Sequence, residues 1–485
     1  VRVFLFIIFL NFEVVLFFWE VIFLNNYDVV IIGAGASGVF ASYEFTKMDT
    51  SAKILMIDSG NHIDKRTCPI SEGKVKNCIK CKPCNIMNGF GGAGSLSDGK
   101  YNITNNFGGD LYRYIGKNEA IEYMEYVDKV LCDFDGEYVK LYSTADTNIK
   151  SLAIKNDLHL LDAKVRHFGT DRNVNILKKI TKYIENKVQT LYNTTVESLE
   201  YKNGEFYIST DKNGDFTAKY VILAAGRSGS KWIGHICDKM KIKTMKNKVD
   251  IGVRVELPAS VFKHITDEVY ESKIVYQTRK YNDLVRTFCM NPYGEVVAEN
   301  TNGVVTVNGH SYSDTNLQSE NTNFALLVSN TFTEPFRNSN EYGESIARLS
   351  NMLGGGVLLQ RFGDLKRGKR STVHSIQKSF ITPTLDATPG DLSLVMPKRQ
   401  LDDIIEMIEA LDKIAPGTAN NDTLLYGVEV KFYNSNVEVN ENLETVIQNL
   451  YVVGDGSGVT HSLSQASASG VFVARKINEK INMSK

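Results

Sequence analysis

Residues 27–47 read YDVVIIGAGASGVFASYEFTK, and residues 53–60 continue with KILMIDSG. The apolar run 28–32, bounded by glycine, predicts a buried parallel strand. Gly33, Gly35 and Gly38 form GxGxxG directly after it, and small residues predict a helix to about Lys47. Residues 54–57 predict a second strand that ends at Asp58. Gly33 permits the tight turn, Gly35 lets backbone approach a diphosphate, and Gly38 lets helix and sheet pack closely. The helix start, with Ala36 and Ser37, offers unpaired N–H groups and a positive dipole end to that diphosphate. Asp58, with Ser59 beside it, stands where an acid bonds ribose hydroxyls. A lone GxGxxG is a weak signal. Strand, helix and terminal acid together make a dinucleotide site a strong expectation.

Two further stretches decide which dinucleotide. Residues 449–477 read NLYVVGDGSGVTHSLSQASASGVFVARKI: an apolar strand, Gly454-Asp455, then a small-residue helix from about Ser464. This resembles the second FAD fingerprint of the glutathione-reductase-like superfamily. The resemblance implies that Asp455 holds the ribityl chain. It also implies that the helix, with Gln465 and Ala466 in its first turn, points its N-terminus at the flavin pyrimidine end. Residues 220–229, YVILAAGRSG, resemble the superfamily's strand-plus-ATG motif, with Ala225 where Thr is usual and Gly226 after it. Three strand-like runs precede it (195–201, 205–210 and 216–219), linked by the hairpin signals Asn203-Gly204 and Asn213-Gly214. Val196, in the first run, joins the expected cofactor contacts. Gly354-Gly355-Gly356 follows a helix-like stretch, not a strand, so it reads as a helix end and loop. A dedicated NAD(P)H domain is therefore not expected, and the electron donor or acceptor reaches the flavin another way.

Residues 66–102 read RTCPISEGKVKNCIKCKPCNIMNGFGGAGSLSDGKYN. Cys78, Cys81 and Cys84 form CxxCxxC, with Cys68 ten residues before the first. Four thiolates at this pitch can converge on one iron–sulfur cluster or one zinc. A thiol pair exchanging electrons with the flavin, or reduced cysteines packed in a loop, fit the spacing equally. Lys65, Arg66, Lys76, Lys80 and Lys82 crowd the segment and favour thiolates. Gly91, Gly92, Ala93 and Gly94 let backbone come close to the flavin or its diphosphate. Ser97, Asp98 and Lys100 then face the ring as candidates, with Lys100 able to relay the proton that accompanies hydride transfer, or else a solvated lysine after a turn.

The run from Cys68 to Lys100 resembles an uncharacterised bacterial FAD-dependent dehydrogenase family within the same superfamily. Residues 166–172 (RHFGTDR), 286–297 (RTFCMNPYGEVV) and 353–372 (LGGGVLLQRFGDLKRGKRST) match it too, as does GDGSGVTHSLSQASASG at 454–470. The resemblance spans 25–485 and implies an FAD-dependent oxidoreductase. His461, a further candidate cofactor contact, stands where the family pattern leads one to expect Arg.

The expected fold class is α/β: a discontinuous Rossmann-like FAD/NAD(P)-binding domain (25–101, 165–233 and 446–485) with an inserted α+β substrate or cap domain (234–445). Residues 102–164 are expected to form a helical connection. Within the cap, runs at 249–257, 304–307 and 325–330 predict strands. Residues 398–414 predict an amphipathic helix, with Leu401, Ile404, Ile405, Ile408 and Leu411 on one face. Arg254, Arg286, Arg367 and Arg370 are candidates to clamp a carboxylate or phosphate, each more simply an ion-pair arginine. Cys289 is a candidate redox thiol or a small buried hydrophobe.

With 55 basic against 56 acidic residues, the chain has no global attraction for nucleic acid or an anionic membrane. Lys178, Lys179 and Lys182 read as a solvated helix face. Residues 1–23 are almost continuously apolar, but Glu13 interrupts them at an insertion cost of about 2.5–3.5 kcal/mol. They lack a basic n-region and a cleavage site. Trp19-Glu20-Val21 can be encoded by a purine-rich ribosome-binding sequence just before Leu24. Residues 1–24 therefore read as translated leader rather than membrane anchor. Clustered cysteines outside a small secreted domain suggest a cytoplasmic protein. The chain reads as an enzyme acting on a small molecule, with a flavin-binding thiol redox sensor or scaffold as the rival.

Overall fold

The computed structural model describes residues 2–483 except 11–12, 22–24, 49, 70–71, 76–78, 80, 137, 146, 246–247, 302, 313 and 333–338, and before residue 25 it describes backbone alone. Arg2–Leu10 and Glu13–Val21 pair as an antiparallel hairpin of their own. Among the described residues no helix is long and apolar enough to cross a membrane.

Two sheets organise the rest. In the first, Gln189–Leu191, Ile54–Ile57, Asn25–Ile32, Asp215–Leu223 and Leu450–Val452 run parallel in that spatial order. Valine and isoleucine on both faces of Asn25–Ile32 are buried because helices cover both sides. From this strand the sheet grows to Ile54–Ile57 on one side and to Asp215–Leu223 on the other. That reversal opens a crevice at the strands' carboxyl ends, where such sheets take their ligands. Val196–Lys202 and Glu205–Thr210 extend the sheet as a hairpin. Its two-residue loop has positive φ at both Asn203 (53°) and Gly204 (84°), as the Asn-Gly signal predicts. The runs at 216–219 and 220–223, read separately in the sequence, form one strand that changes neighbours. Its first half pairs antiparallel with Glu205–Thr210 and its last three residues pair parallel with Leu450–Val452.

The second sheet has eight strands centred on Val249–Pro258, which pairs with Asn321–Asn330 and Leu424–Phe432. Odd-numbered Val249, Ile251, Val253, Val255 and Leu257 join the apolar core behind the sheet. Asp250, Arg254 and Glu256 alternate with them and are buried as well. The polar face is satisfied within the protein: Asp250 accepts from Tyr433, Arg254 pairs with Glu429, and Glu256 accepts from Thr384 and Tyr426. Residues 102–164 need correction: helix Lys117–Asp135 is there, but Leu158–Leu160 is the edge strand of this second sheet, paired with Ile274–Gln277. Three residues are too few to show a period. Leu141–Ser143 joins Lys164–His167 and Lys100–Ile103 in a small sheet between the two large ones.

The amphipathic stretch forms helix Lys398–Asp412, burying Leu401, Ile404, Ile408 and Leu411. Asp403 is buried on it too, and neither carboxylate oxygen has a hydrogen bond. Burial, with the Asp283 carboxylate nearby, pushes its pKa up to about 7. A folded value above the unfolded one means that the fold loses stability as pH rises from about 4 to about 7. Asp403→Asn is therefore expected to raise the melting temperature at pH 8 and to change it little at pH 4. Equal shifts at both pH values would contradict this assignment.

Candidate functional site

The carboxyl ends of the parallel strands bring the sequence-separated glycines together. Gly33 has φ +108°, its N–H donates to Ile57 O at 2.7 Å, and a Cβ there would lie 2.4 Å from Ala224 O. At Gly38 a Cβ would lie 2.0 Å from Gly33 O, so helix and turn touch through backbone alone. Gly35 differs: the nearest atom to its Cβ would be Ala224 O, at 3.8 Å, and the rest is open cleft. It caps helix Ala36–Lys47 with no side-chain bond to the first-turn amides. Asp58 ends its strand by accepting the N–H groups of Ala34 (2.7 Å), Gly60 (2.7 Å) and Gly89 (2.9 Å). The acid thus ties the glycine turn to the loop that carries Gly91, whose N–H donates to Ala34 O at 2.7 Å.

That loop is organised by Arg66, expected only as a basic neighbour of the cysteines. Its buried guanidinium donates to Asn85 O (2.9 Å), Ile86 O (2.8 Å), Phe90 O (2.6 Å) and Ser95 Oγ. Burial lowers its pKa to about 10, so it stays charged at neutral pH.

The second fingerprint closes the same cleft. Gly454 has φ +73°, and a Cβ there would meet Ser37 Oγ at 2.4 Å, so the two motifs abut. Asp455 Oδ2 takes Arg227 Nε at 3.1 Å, and its Oδ1 lies 3.0 Å from His461 Nδ1. Burial alone would raise this carboxyl, but Arg227, His461 and Lys431 overcome it and hold it well below the usual carboxylate range. The histidine found in place of arginine thus partners the acid. Ser462 caps helix Leu463–Met483, accepting the N–H of Gln465 at 3.2 Å. Gln465 itself must be corrected as a cofactor contact. It is buried, and its amide is spent on Leu111 N, Thr104 O and Phe107 O.

Lys100 ties the outer wall together. Its Nζ lies 2.9 Å from each of Asp98 Oδ2, Met290 O and Asn291 Oδ1, and 3.8 Å from Glu271. Burial opposes the charge, yet Asp98 and Glu271 outweigh it and raise the ammonium above its ordinary value. The alternative of a solvated lysine after a turn is thereby corrected: Lys100 is a buried, ion-paired ammonium that lines the cleft. Cys289 lines the cleft at φ +42°. Burial, then Glu271, push its thiol up despite three nearby lysines, so it is not a thiolate at neutral pH. Among the arginine candidates, Arg286 and no other lines the cleft: Arg254 is fully buried and paired with Glu429, Arg367 is half exposed on Asp364, and Arg370 lies elsewhere.

Of the clustered cysteines, Cys68 reaches the cleft, Cys84 is half-buried, Cys81 is exposed, and all three are unpaired. Among the described residues no three His, Cys, Asp or Glu side chains gather as a metal site. Cys78 lies outside the described residues.

The cleft has a volume of about 1240 Å³ and is lined by Gly33, Gly35, Ala36, Ser37, Asp58, Ser59, Gly91, Gly92, Ala93, Gly94, Val196, Ala225, Gly226, Asp455, His461 and Ala466. These residues fit FAD: an open cradle at Gly35, uncapped helix amides for a diphosphate, and acids at both ends for hydroxyls. Residues 27–247 match the pyridine nucleotide-disulphide oxidoreductase family, and residues 248–432 match the FAD-dependent protein, C-terminal domain-like family. Together the two matches span residues 27–432 and give the chain the fold and domain composition of an FAD-dependent oxidoreductase. A Clostridium beijerinckii protein described as uncharacterized is 26% identical to the flavoprotein, over 94% of this chain and 81% of its own length. A glycine oxidase from Geobacillus kaustophilus aligns at 10% identity and TM-score 0.41, covering 94% of this chain and 95% of its own. A geranylgeranyl bacteriochlorophyll reductase-like protein from Thermoplasma acidophilum aligns at 12% identity and TM-score 0.39, covering 95% and 80%.

Proposed function

We propose that this FAD-dependent oxidoreductase works on a small molecule held between the dinucleotide turn and the polar face of the second sheet. The observation that carries this reading is a single cleft joining both fingerprints to Lys100, Phe288 and Cys289 of the opposite wall. Gly35, Ala36 and Ser37 would hold the diphosphate, Asp58 and Ser59 the adenosine ribose, and Asp455 the ribityl hydroxyls. The chemistry FAD supplies when bound is acceptance or return of a hydride or of electrons. The chain's own residues set the field around it. Arg227 and His461 keep Asp455 ionised as an acceptor, and Lys100 holds a positive charge on the outer wall. The unpaired cysteines support a reducing compartment, the cytoplasm.

The test is the absorption spectrum of anaerobically purified protein before and after dithionite, with FAD and metals quantified after denaturation. We expect a flavin spectrum that bleaches and about one FAD per chain. Protein that folds without flavin would overturn the reading. A broad additional absorbance with stoichiometric iron would add a cluster at the cysteines.

A further inference from the structure

The second sheet presents an unusual group to the cleft. Phe288, half-buried on strand Leu284–Asn291, has Lys273 Nζ 3.8 Å, Lys431 Nζ 5.3 Å and the Arg286 guanidinium 5.5 Å from its ring centroid. All four residues line the cleft. Three cations around one ring repel each other, and attraction to the π face offsets only part of that.

Their compensation is unequal. Lys273 pairs with Glu271 at 3.6 Å. Arg286 gives its Nη2 to Asp250 and to Tyr433 Oη. Its Nε is buried without a partner, and its Nη1 makes no hydrogen bond among the described residues. Lys431 has neither an ion pair nor a hydrogen bond among the described residues, with Glu299 and Asp455 acting on it only from farther away. Burial depresses the ammonium groups of both Lys273 and Lys431, as expected of cations awaiting a counter-charge. Arg286 Nε is thus a buried donor without an acceptor, which is uncommon enough to call for one.

We propose that the substrate carries a carboxylate, seated against Lys431 and Arg286 beside Phe288 on the second-sheet wall of the cleft. The proposal rests on the oxidoreductase reading and names the substrate class for the same site. A single negative charge is the match: Glu271 and Asp250 already answer Lys273 and Arg286, leaving the Lys431 charge. A phosphate dianion would exceed it. The apolar ring beside the cations fits the carbon skeleton that such an acid brings.

Calorimetric titration of the FAD-loaded protein with acetate and benzoate, against acetamide, benzamide and inorganic phosphate, tests this. At least one carboxylate should bind at least tenfold more tightly than its amide and more tightly than phosphate. Lys431→Met should weaken that binding at least tenfold while FAD content stays at the wild-type level. Lys431→Arg, which keeps the charge, should recover most of it. Absence of carboxylate binding, amides or phosphate binding as well, or an unaffected Lys431→Met would each overturn the proposal. Because every titration starts from protein shown to contain FAD, such a failure leaves the oxidoreductase reading standing; loss of flavin from the wild type would be the separate failure of that reading.

Discussion

Gly35→Val is expected to give a folded protein that purifies without flavin, its affinity for FAD lowered by at least a hundredfold, about 3 kcal/mol. The expectation comes from the contrast among the three fingerprint glycines. At Gly33 a side chain would collide with Ala224 backbone and require φ +108°, and at Gly38 it would collide with Gly33 O at 2.0 Å. Substitution at either place damages turn and helix packing before any ligand is considered. Gly35 has φ −70° and only Ala224 O near its would-be Cβ, at 3.8 Å. Valine there needs no unusual backbone and fills space that the fold leaves open. Its cost should therefore appear almost wholly in cofactor binding. The measurement is FAD content after purification and after reconstitution, with circular dichroism to verify folding. A variant that retains stoichiometric FAD would show that the cofactor does not pass over Gly35.

The fingerprint glycines were legible in the sequence because their roles are local: each sits a fixed number of residues from a strand end. The places of Asp58 and Asp455, just past the ends of their strands at the cleft, were legible for the same reason. Gln465 was not, because its position in the first turn of a helix beside the cleft says nothing about residues 104–111, which take both of its amide N–H donors and give a hydrogen bond to its oxygen. Lys100 follows the same logic. Its neighbour Asp98 is visible in the sequence, but Glu271 and the carbonyl oxygen of Met290, which also hold the ammonium, come from residues far along the chain. The alternation of Asp250, Arg254 and Glu256 with apolar Val249, Ile251, Val253 and Val255 was a missed signal: the polar face of this strand is buried behind the cleft wall, where Asp250 and Arg254 pair with Arg286 and Glu429. The split strand 215–223 was missed because Lys219, exposed at its middle, breaks the apolar run without breaking the strand.

Arg254 shows what pairing across the chain decides, and the second large effect follows from it. Sequence alone made it a candidate clamp for substrate, equal to Arg286. Its Nε and Nη2 instead engage Glu429 at 2.8 and 3.0 Å, and its Nη1 donates to Asn323 Oδ1 at 2.8 Å and Cys289 O at 3.1 Å. One fully buried guanidinium thus joins strands Val249–Pro258, Leu424–Phe432, Asn321–Asn330 and Leu284–Asn291. Such a pair adds little over a well-packed apolar alternative, but removing one partner strands the other charge away from water. Glu429→Ala is accordingly expected to cost about 3–5 kcal/mol. It should appear as a lower urea midpoint for the transition of the second sheet, followed by fluorescence. The paired replacement Arg254→Met with Glu429→Leu should cost less than Glu429→Ala alone, since it buries no orphaned charge. If the single variant unfolds within about 1 kcal/mol of wild type, water must reach Arg254 and the wall behind Cys289 is looser than its hydrogen bonds imply. If the double variant is the more damaged of the two, the guanidinium matters chiefly as the tether of the Cys289 carbonyl, and the shape of the cleft wall depends on it.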